Sequence, residues 1–339
     1  VFDEYLNRAR SGESFSEKEA AAIAWDIFES NVNDRAVADF LVALAQKGET
    51  AAEVAGFASE LVRRALPVNA PATCVDLCGT GGSDLARFNV STAAAFVAAS
   101  CGVPIAKHGN RGSRRPNGAF DLLEALGIPI ELPPKLIEEC LAQVGVAFIF
   151  ARMYHPGMKR VTQARKLAGR RTIFNLIGPL SNPAGVTHQL VGTADAARLW
   201  VLGEALQRIG RTRALVVYGD PGIDEFSVSG KSVVLEVTPN GIIESEFQLS
   251  EAGIERVDYA ELPTGDCHDN AIVFYQLLDD KAPQGIRDMV ALNAGAVLYL
   301  SGHTRTIAEG YRAASDAIGD GRMKKKFVTL KDYLADNVR

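Results

Sequence analysis

The sequence carries no excess of positive charge. Its 36 lysines and arginines stand against 41 aspartates and glutamates, a formal charge of -5 over 339 residues. A chain-wide basic footprint is missing, which argues against nucleic acid as a partner. Long apolar runs are missing too: Ala93–Ala99 is far too short to cross a bilayer, so no membrane is expected. Cysteines are few, and the five of them (Cys74, Cys78, Cys101, Cys140 and Cys267) form an odd, scattered set. They make no disulfide framework, and core thiols in a reducing compartment are the expectation. Cys74 and Cys78 have the wrong spacing for a zinc knuckle, and no histidine spacing suggests zinc. Val1–Tyr5 is mixed and acidic, without the basic-then-apolar pattern of a secretory segment. The cytoplasm is the expected location. There is no Gly-Lys-Ser/Thr phosphate loop and no Gly-x-Ser-x-Gly elbow.

What is present is enough chain for two domains, 47% apolar. Residues 1 to about 68 read as a bundle of short helices. Ser16 with Glu19 and Thr50 with Glu53 have capping-box spacing, and Lys47-Gly48 ends the helix between them. Pro67 to Pro71 is a turn-rich break. After it the period changes. Short strands at Thr73–Cys78, Gly102–Lys107, Ala147–Phe150 and Ala214–Tyr218 alternate with helices at Val90–Cys101, Phe120–Leu126 and Ala194–Ile209. Gly127–Ile130 is a further candidate strand. This alternation predicts an α/β domain with a mostly parallel sheet flanked by helices. Ser232–Glu236 and Glu244–Gln248 predict an antiparallel or irregular edge, and the chain from Asp269 onward reads as helix broken at Gly302 and Gly319.

Three clusters carry chemistry. Gly79-Thr80-Gly81-Gly82-Ser83 follows a strand, and Asn89-Val90-Ser91-Thr92 opens the next helix. Glycines let backbone amides approach an anion closely, and a helix start offers further amides. Alone, the loop also fits a plain turn. Lys107-His108-Gly109-Asn110-Arg111 lies at the next strand end, where a dinucleotide site would want an acid; a positive strand end suits a phosphate-rich ligand instead. Arg111 is equally suited to a structural ion pair. Asp224-Glu225 follows a third core strand, with Asp220 nearby. The pair reads either as a solvated acidic turn or as oxygen ligands for Mg²⁺. Between these lie Tyr154-His155-Pro156-Gly157, Arg165, and the turn-rich, rigid stretch Thr172–Gly185. Arg165 could clamp a carboxylate or simply sit at the surface.

These motifs occur together, in order, over nearly the whole chain: Gly79–Gly82, Asn89–Thr92, Lys107–Arg111, Tyr154–Pro156, Arg165, Arg171–Asn175 with Gly178–Pro183, and Asp224-Glu225. In this the chain resembles the anthranilate phosphoribosyltransferase family of tryptophan biosynthesis, within the nucleoside phosphorylase/phosphoribosyltransferase fold. The resemblance implies a small all-helical domain, 1–68, joined by helices from about 133–170, beside a large α/β domain, 72–132 and 171–339. It implies transfer of 5-phosphoribose from phosphoribosyl diphosphate to anthranilate with Mg²⁺, in a homodimer formed through the helical domain. Lys107, Asn110 and Arg165 would be catalytic. Gly79, Thr80, Gly81, Gly82, Asn89, Ser91, Thr92 and Lys107 would hold the donor, with Ser83, Asp84 and Arg87 at the same cradle. Ser91, Asp224 and Glu225 would take the metal; Asn110 and Arg165 would contact anthranilate, with His108 and His155 lining its approach. The chain departs from the family at the cradle. Ser83-Asp84 stands for a single aspartate, Arg87 for a threonine, and Arg114-Arg115 interrupts a serine-rich stretch. Another aromatic acceptor, nucleoside phosphorolysis, or a non-catalytic nucleic-acid-binding relative are the alternatives these departures leave.

Overall fold

The computed structural model describes residues 2–29, 32–81, 85, 88–112 and 116–338. Four helices open it: α1 (Phe2–Arg10), α2 (Glu17–Glu29), α3 (Asp34–Lys47) and α4 (Ala51–Arg63). Their ends have local causes. The Ser16 amide and hydroxyl both donate to Glu19 ahead of α2. Gly48 at φ 90° stops α3, and Thr50 with Glu53 closes a capping box on α4. The buried Glu53 carboxylate also accepts from the Phe15 amide at 2.9 Å and from Lys47 Nζ at 3.0 Å, so one side chain pins three segments.

The remainder alternates. In order come β1 (Val75–Gly79), α5 (Val90–Ser100), β2 (Ile105–Gly109), α6 (Ala119–Ala125), α7 (Pro134–Gln143), β3 (Val146–Phe150), α8 (Ala151–Tyr154), α9 (Thr162–Ala168), α10 (Ile173–Leu180) and β4 (His188–Gly192). Then follow α11 (Leu199–Arg208), β5 (Arg213–Gly219), β6 (Ser232–Thr238), β7 (Gly241–Phe247), α12 (Leu249–Ala252), α13 (Cys267–Leu278), α14 (Gln284–Leu300), α15 (Ile307–Gly319) and α16 (Arg322–Asn337). The seven strands form one sheet in the order β3-β2-β1-β4-β5-β6-β7. The first five run parallel, and β6 and β7 are antiparallel. The chain winds outward from β1 to β3, then returns to lay β4 against the other side of β1. That reversal opens a crevice beyond the carboxyl ends of β1 and β4, the place where such sheets bind ligands.

Neighbouring residues of β4, β5 and β6 feed two cores. On β5, Leu215 and Val217 join the core built around α5, α14 and α16, where Phe96, Phe148, Phe274 and Phe327 meet edge to face or tilted. Ala214 and Val216 face the other core, which includes Leu199 and Leu202 of α11, Ile173 and Ile177 of α10, and the inner faces of α1–α4. The helical layer therefore shares its core with one face of the sheet. Phe174 of α10 packs against both Phe28 and Phe57.

The structure corrects three expectations. Gly127–Ile130 is not a strand: Ile128 and Ile130 are buried, but Pro129 has no amide for a ladder. The central strand β4 was not anticipated, because it opens on the polar pair His188-Gln189. The stretch Thr172–Gly185 contains a helix, α10, at whose start the Thr172 amide donates to Asn175 Oδ1 at 3.0 Å. Within 133–170, α7 packs on the edge strand of the sheet, β3. Its five residues are all buried, an apolar run that only a covered sheet can use.

Candidate active site at the sheet reversal

Gly79 ends β1 and Gly192 ends β4, and the two are register partners. The Thr80 amide donates to the Gly192 carbonyl at 2.9 Å. The loop after β5 folds over both ends. A Cβ on Gly79 would collide with the Asp224 carboxylate, one on Gly192 with the Asp224 backbone, and one on Gly219 with the Glu225 carbonyl. Three strand-end glycines thus let an acid pair reach the middle of the sheet. Asp224 is held there by the Gly81 amide, which donates to its Oδ2 at 2.9 Å. Asp224 and Glu225 are 4% and 7% exposed, so neither is a solvated turn residue.

Lys107 lies on β2, buried, with Nζ donating to the Leu77 carbonyl at 2.6 Å. Burial pulls its ammonium below its ordinary range, against the opposing field of Asp76, Glu225 and Asp224. Lysine and acid pair therefore share one crevice, although they sit on different strands. Below them runs a buried polar chain that the sequence reading missed. Asp76 accepts from the His108 amide at 3.1 Å and from Gln189 Nε2 at 3.0 Å; Arg211 Nε donates to Gln189 Oε1 at 3.0 Å. Burial raises the Asp76 carboxyl, opposed by the Lys107 charge. The one available signal was a carboxylate inside the apolar run Val75-Asp76-Leu77.

His108 and His155 are both buried, and their Nε2 atoms stand 3.1 Å apart. Burial pushes His155 down to about 4 and His108 well below its usual value, so both rings are neutral near pH 7. Arg165, on α9, is half-buried, with its guanidinium 5.6 Å from the Phe174 ring centroid and lowered by burial. Among the described residues no carboxylate pairs with it. Asn110 is exposed, and its Oδ1 accepts from the Arg111 amide. Arg111 takes the structural role: it pairs with both oxygens of Glu124 at 2.6 and 2.7 Å and with Asp121 at 3.4 Å. Asn89, Ser91 and Thr92 form the start of α5, with Asn89 and Thr92 buried and Ser91 half-buried. Gly82, Ser83, Asp84, Arg87, Arg114 and Arg115 lie outside the described residues.

Among the described residues, no group of three or more histidines, cysteines or acids is placed to hold a metal by itself. Two buried, adjacent carboxylates are nonetheless the donor set that Mg²⁺ uses when water and ligand phosphates complete its shell. Asp224 and Glu225 fit that ion. No helix among the described residues is long and apolar enough to cross a membrane.

Comparison with known proteins agrees with this architecture. Residues 3–65 match the glycosyl transferase family helical bundle domain, and residues 71–324 match the glycosyl transferase family a/b domain. The chain is 43% identical over 335 residues to the anthranilate phosphoribosyltransferase of Rubrobacter xylanophilus, covering 98% of each. It is 44% identical over 303 residues to that of Sphingopyxis alaskensis, covering 89% of this chain and 91% of the relative. The crystal structure of the Thermus thermophilus anthranilate phosphoribosyltransferase superposes with a TM-score of 0.92 at 36% identity, covering 98% of this chain and 99% of that one. The Saccharomyces cerevisiae enzyme, solved in complex with PRPP and Mg, superposes at 0.88 with 25% identity, covering 99% and 98%.

Proposed function

Since the chain belongs to the anthranilate phosphoribosyltransferase family, we propose that it transfers 5-phosphoribose from phosphoribosyl diphosphate to the amine of anthranilate, releasing diphosphate, in tryptophan biosynthesis. The observation that carries this reading is that the carboxyl half of β1 gathers both signs: Lys107 Nζ sits on the Leu77 carbonyl, and Asp224 lies against Gly79 and accepts from the Gly81 amide. A diphosphate is the ligand that needs all three: amides and an ammonium for its oxygens, and carboxylates for the cation that travels with it.

In this reading Gly79–Gly81, Asn89, Ser91, Thr92 and Lys107 hold the donor. Mg²⁺, held by Asp224 and Glu225 with Ser91 beside them, would supply positive charge to the leaving diphosphate. Lys107 adds a fixed charge that water does not screen, since it is only 2% exposed. Arg165 clamps the anthranilate carboxylate, and Asn110 fixes the ring's other side. The anthranilate amine attacks C1 of the ribose: the C1–N bond forms, the C1–O bond to diphosphate breaks, and the amine then loses a proton to the departing diphosphate. Neutral anthranilate is already nucleophilic, so positioning supplies much of the rate. The neutral histidine pair is engaged with itself and serves as a wall of the acceptor channel, not as its base. We further assign the chain to the cytoplasm and to a homodimer through the helical layer, where Trp25 of α2 and Leu167 of α9 are exposed.

The decisive experiment is product analysis with phosphoribosyl diphosphate, anthranilate and Mg²⁺. Phosphoribosyl anthranilate and diphosphate in equal amounts are expected. Turnover with other aromatic acids but none with anthranilate would overturn the assignment. Arg165→Lys should raise the KM for anthranilate about tenfold and leave the donor KM in place; a loss confined to the donor would put Arg165 on the wrong substrate.

A further inference from the structure

Asparagine directly before a helix ordinarily turns its side-chain oxygen onto amides of its own first turn. Asn89 holds that position before α5, yet at φ -81° and ψ 66° its side chain makes no capping hydrogen bond. Its amide is engaged elsewhere. Oδ1 accepts from Asn270 Nδ2 at 2.9 Å, and Nδ2 donates to the Asn117 carbonyl at 3.1 Å. Asn270 Nδ2 also donates to Asn117 Oδ1 at 2.8 Å, and Asn117 Nδ2 donates to the Gly265 carbonyl at 2.9 Å. Asn270 is fully buried on α13, whose start is fixed by Asp266 accepting from the His268 and Asp269 amides. A helix 181 positions away in sequence therefore grips the start of α5 and joins it to the segment that follows Lys107–Arg111. One turn into α5, the Thr92 hydroxyl is buried with no partner among the described residues. A buried hydroxyl in that state calls for a partner from outside the chain, water or ligand.

The Val90 amide already donates to the Phe88 carbonyl and the Thr92 amide to the Asn89 carbonyl. We propose that Asn270 is a positioning residue for donor binding: by drawing the Asn89 side chain off its own helix, it keeps the Ser91 amide in the first turn of α5 open to the donor's phosphates. The inference rests on the functional reading above. A capping oxygen and a phosphate oxygen compete for that amide, and an asparagine released from Asn270 would occupy it itself. Asn270 touches neither substrate; it acts through Asn89.

The test compares wild type, Asn270→Ala, Asn117→Ala and the double variant, each checked for folding by circular dichroism. Readouts are the KM of each substrate, and calorimetric titration with phosphoribosyl diphosphate and Mg²⁺. Asn270→Ala should weaken the donor about tenfold, the scale of one capping interaction, with the anthranilate KM and kcat within about threefold. Asn117→Ala, at a half-exposed site where loss of folding is not a concern, should shift the donor in the same direction. The double variant should be no weaker than the worse single one, because both act through Asn89. Unchanged donor affinity in folded Asn270→Ala, equal losses for both substrates, or strict additivity would each overturn the proposal. If Asn270→Ala does not fold, unchanged donor affinity in Asn117→Ala overturns it. Wild type that fails to bind the donor overturns the functional reading and this inference with it; normal wild type with unaffected variants overturns the inference alone.

Discussion

Replacing Gly192 by alanine places a methyl group where the Asp224 backbone already is. The new Cβ would overlap the Asp224 carbonyl and lie 2.9 Å from its Cα. Carbon atoms prefer a separation of about 3.5–4.0 Å, so the loop must retreat on the order of 1 Å. No flexible side chain can absorb this, because the obstruction is main chain. Overpacking of this kind costs about 1–3 kcal/mol of stability. The same retreat carries Asp224 away from the Gly81 amide and from Lys107, and a misplacement of about 1 Å near reacting groups costs on the order of 100-fold in rate. Gly192→Ala should therefore remain folded, lose about 100-fold in kcat/KM, and need more Mg²⁺ to reach its own maximum. Urea denaturation gives the first quantity, and initial rates over a Mg²⁺ series at fixed substrates give the others. Gly319→Ala is the control: its nearest neighbour is the flexible end of Arg287 at 4.0 Å, so stability should hold within about 0.5 kcal/mol and activity should be full. If Gly192→Ala keeps the wild-type kcat/KM and Mg²⁺ requirement, the strand-end glycines do not seat the acid pair.

Glu53→Ala strips a buried carboxylate from Lys47, Thr50 and Phe15, and breaking such a pair from one side should cost about 3–5 kcal/mol in a denaturation experiment. Its kcat/KM should stay near wild type while the chain is folded; a loss under 1 kcal/mol would mean water replaces those contacts. His155 binds a proton at about 4 in the folded chain, against an ordinary 6.5. Below pH 6.5 the unfolded chain takes up a proton that the folded chain refuses, so stability present above that pH is lost as pH falls toward 4. The share is on the order of 3 kcal/mol. His155→Gln should flatten that part of a stability-versus-pH profile, although His108 keeps a slope in the same direction; an unaltered slope would exclude burial of His155 as the cause.

The sequence was most readable where a local rule acts alone. The capping residues Ser16, Glu19, Thr50 and Glu53, and the stop at Gly48, are satisfied within a few residues of where they stand. Apolar runs such as Ala214–Tyr218 announced buried strands in the same way. Readability failed where a distant partner decides. Gln189 looks wrong for a central strand until Asp76 and Arg211 are beside it. Gly178 and Pro179 look like turn residues, yet α10 holds them in its last turn. The candidate site divided likewise. Its motif residues were visible, but not that Gly192 and Gly219 clear space for Asp224 and Glu225, nor that Asn270 reaches Asn89. Those relations join residues far apart in the chain and leave no mark on spacing.

The seam between α4 and α10 has a consequence for dissecting this molecule. Family boundaries fall at 65 and 71, as if two units were strung together there. Cutting in that gap would strand Phe28 and Phe57 in water without Phe174, and would leave buried Glu49 without Arg198. The amino-terminal piece would then be a sticky fragment and not a foldable module. Val161 and Ala164 beside and within α9, and Ile173 and Ile177 of α10, lie in the same apolar mass as the first four helices, so a piece that keeps those four must keep α9 and α10 as well.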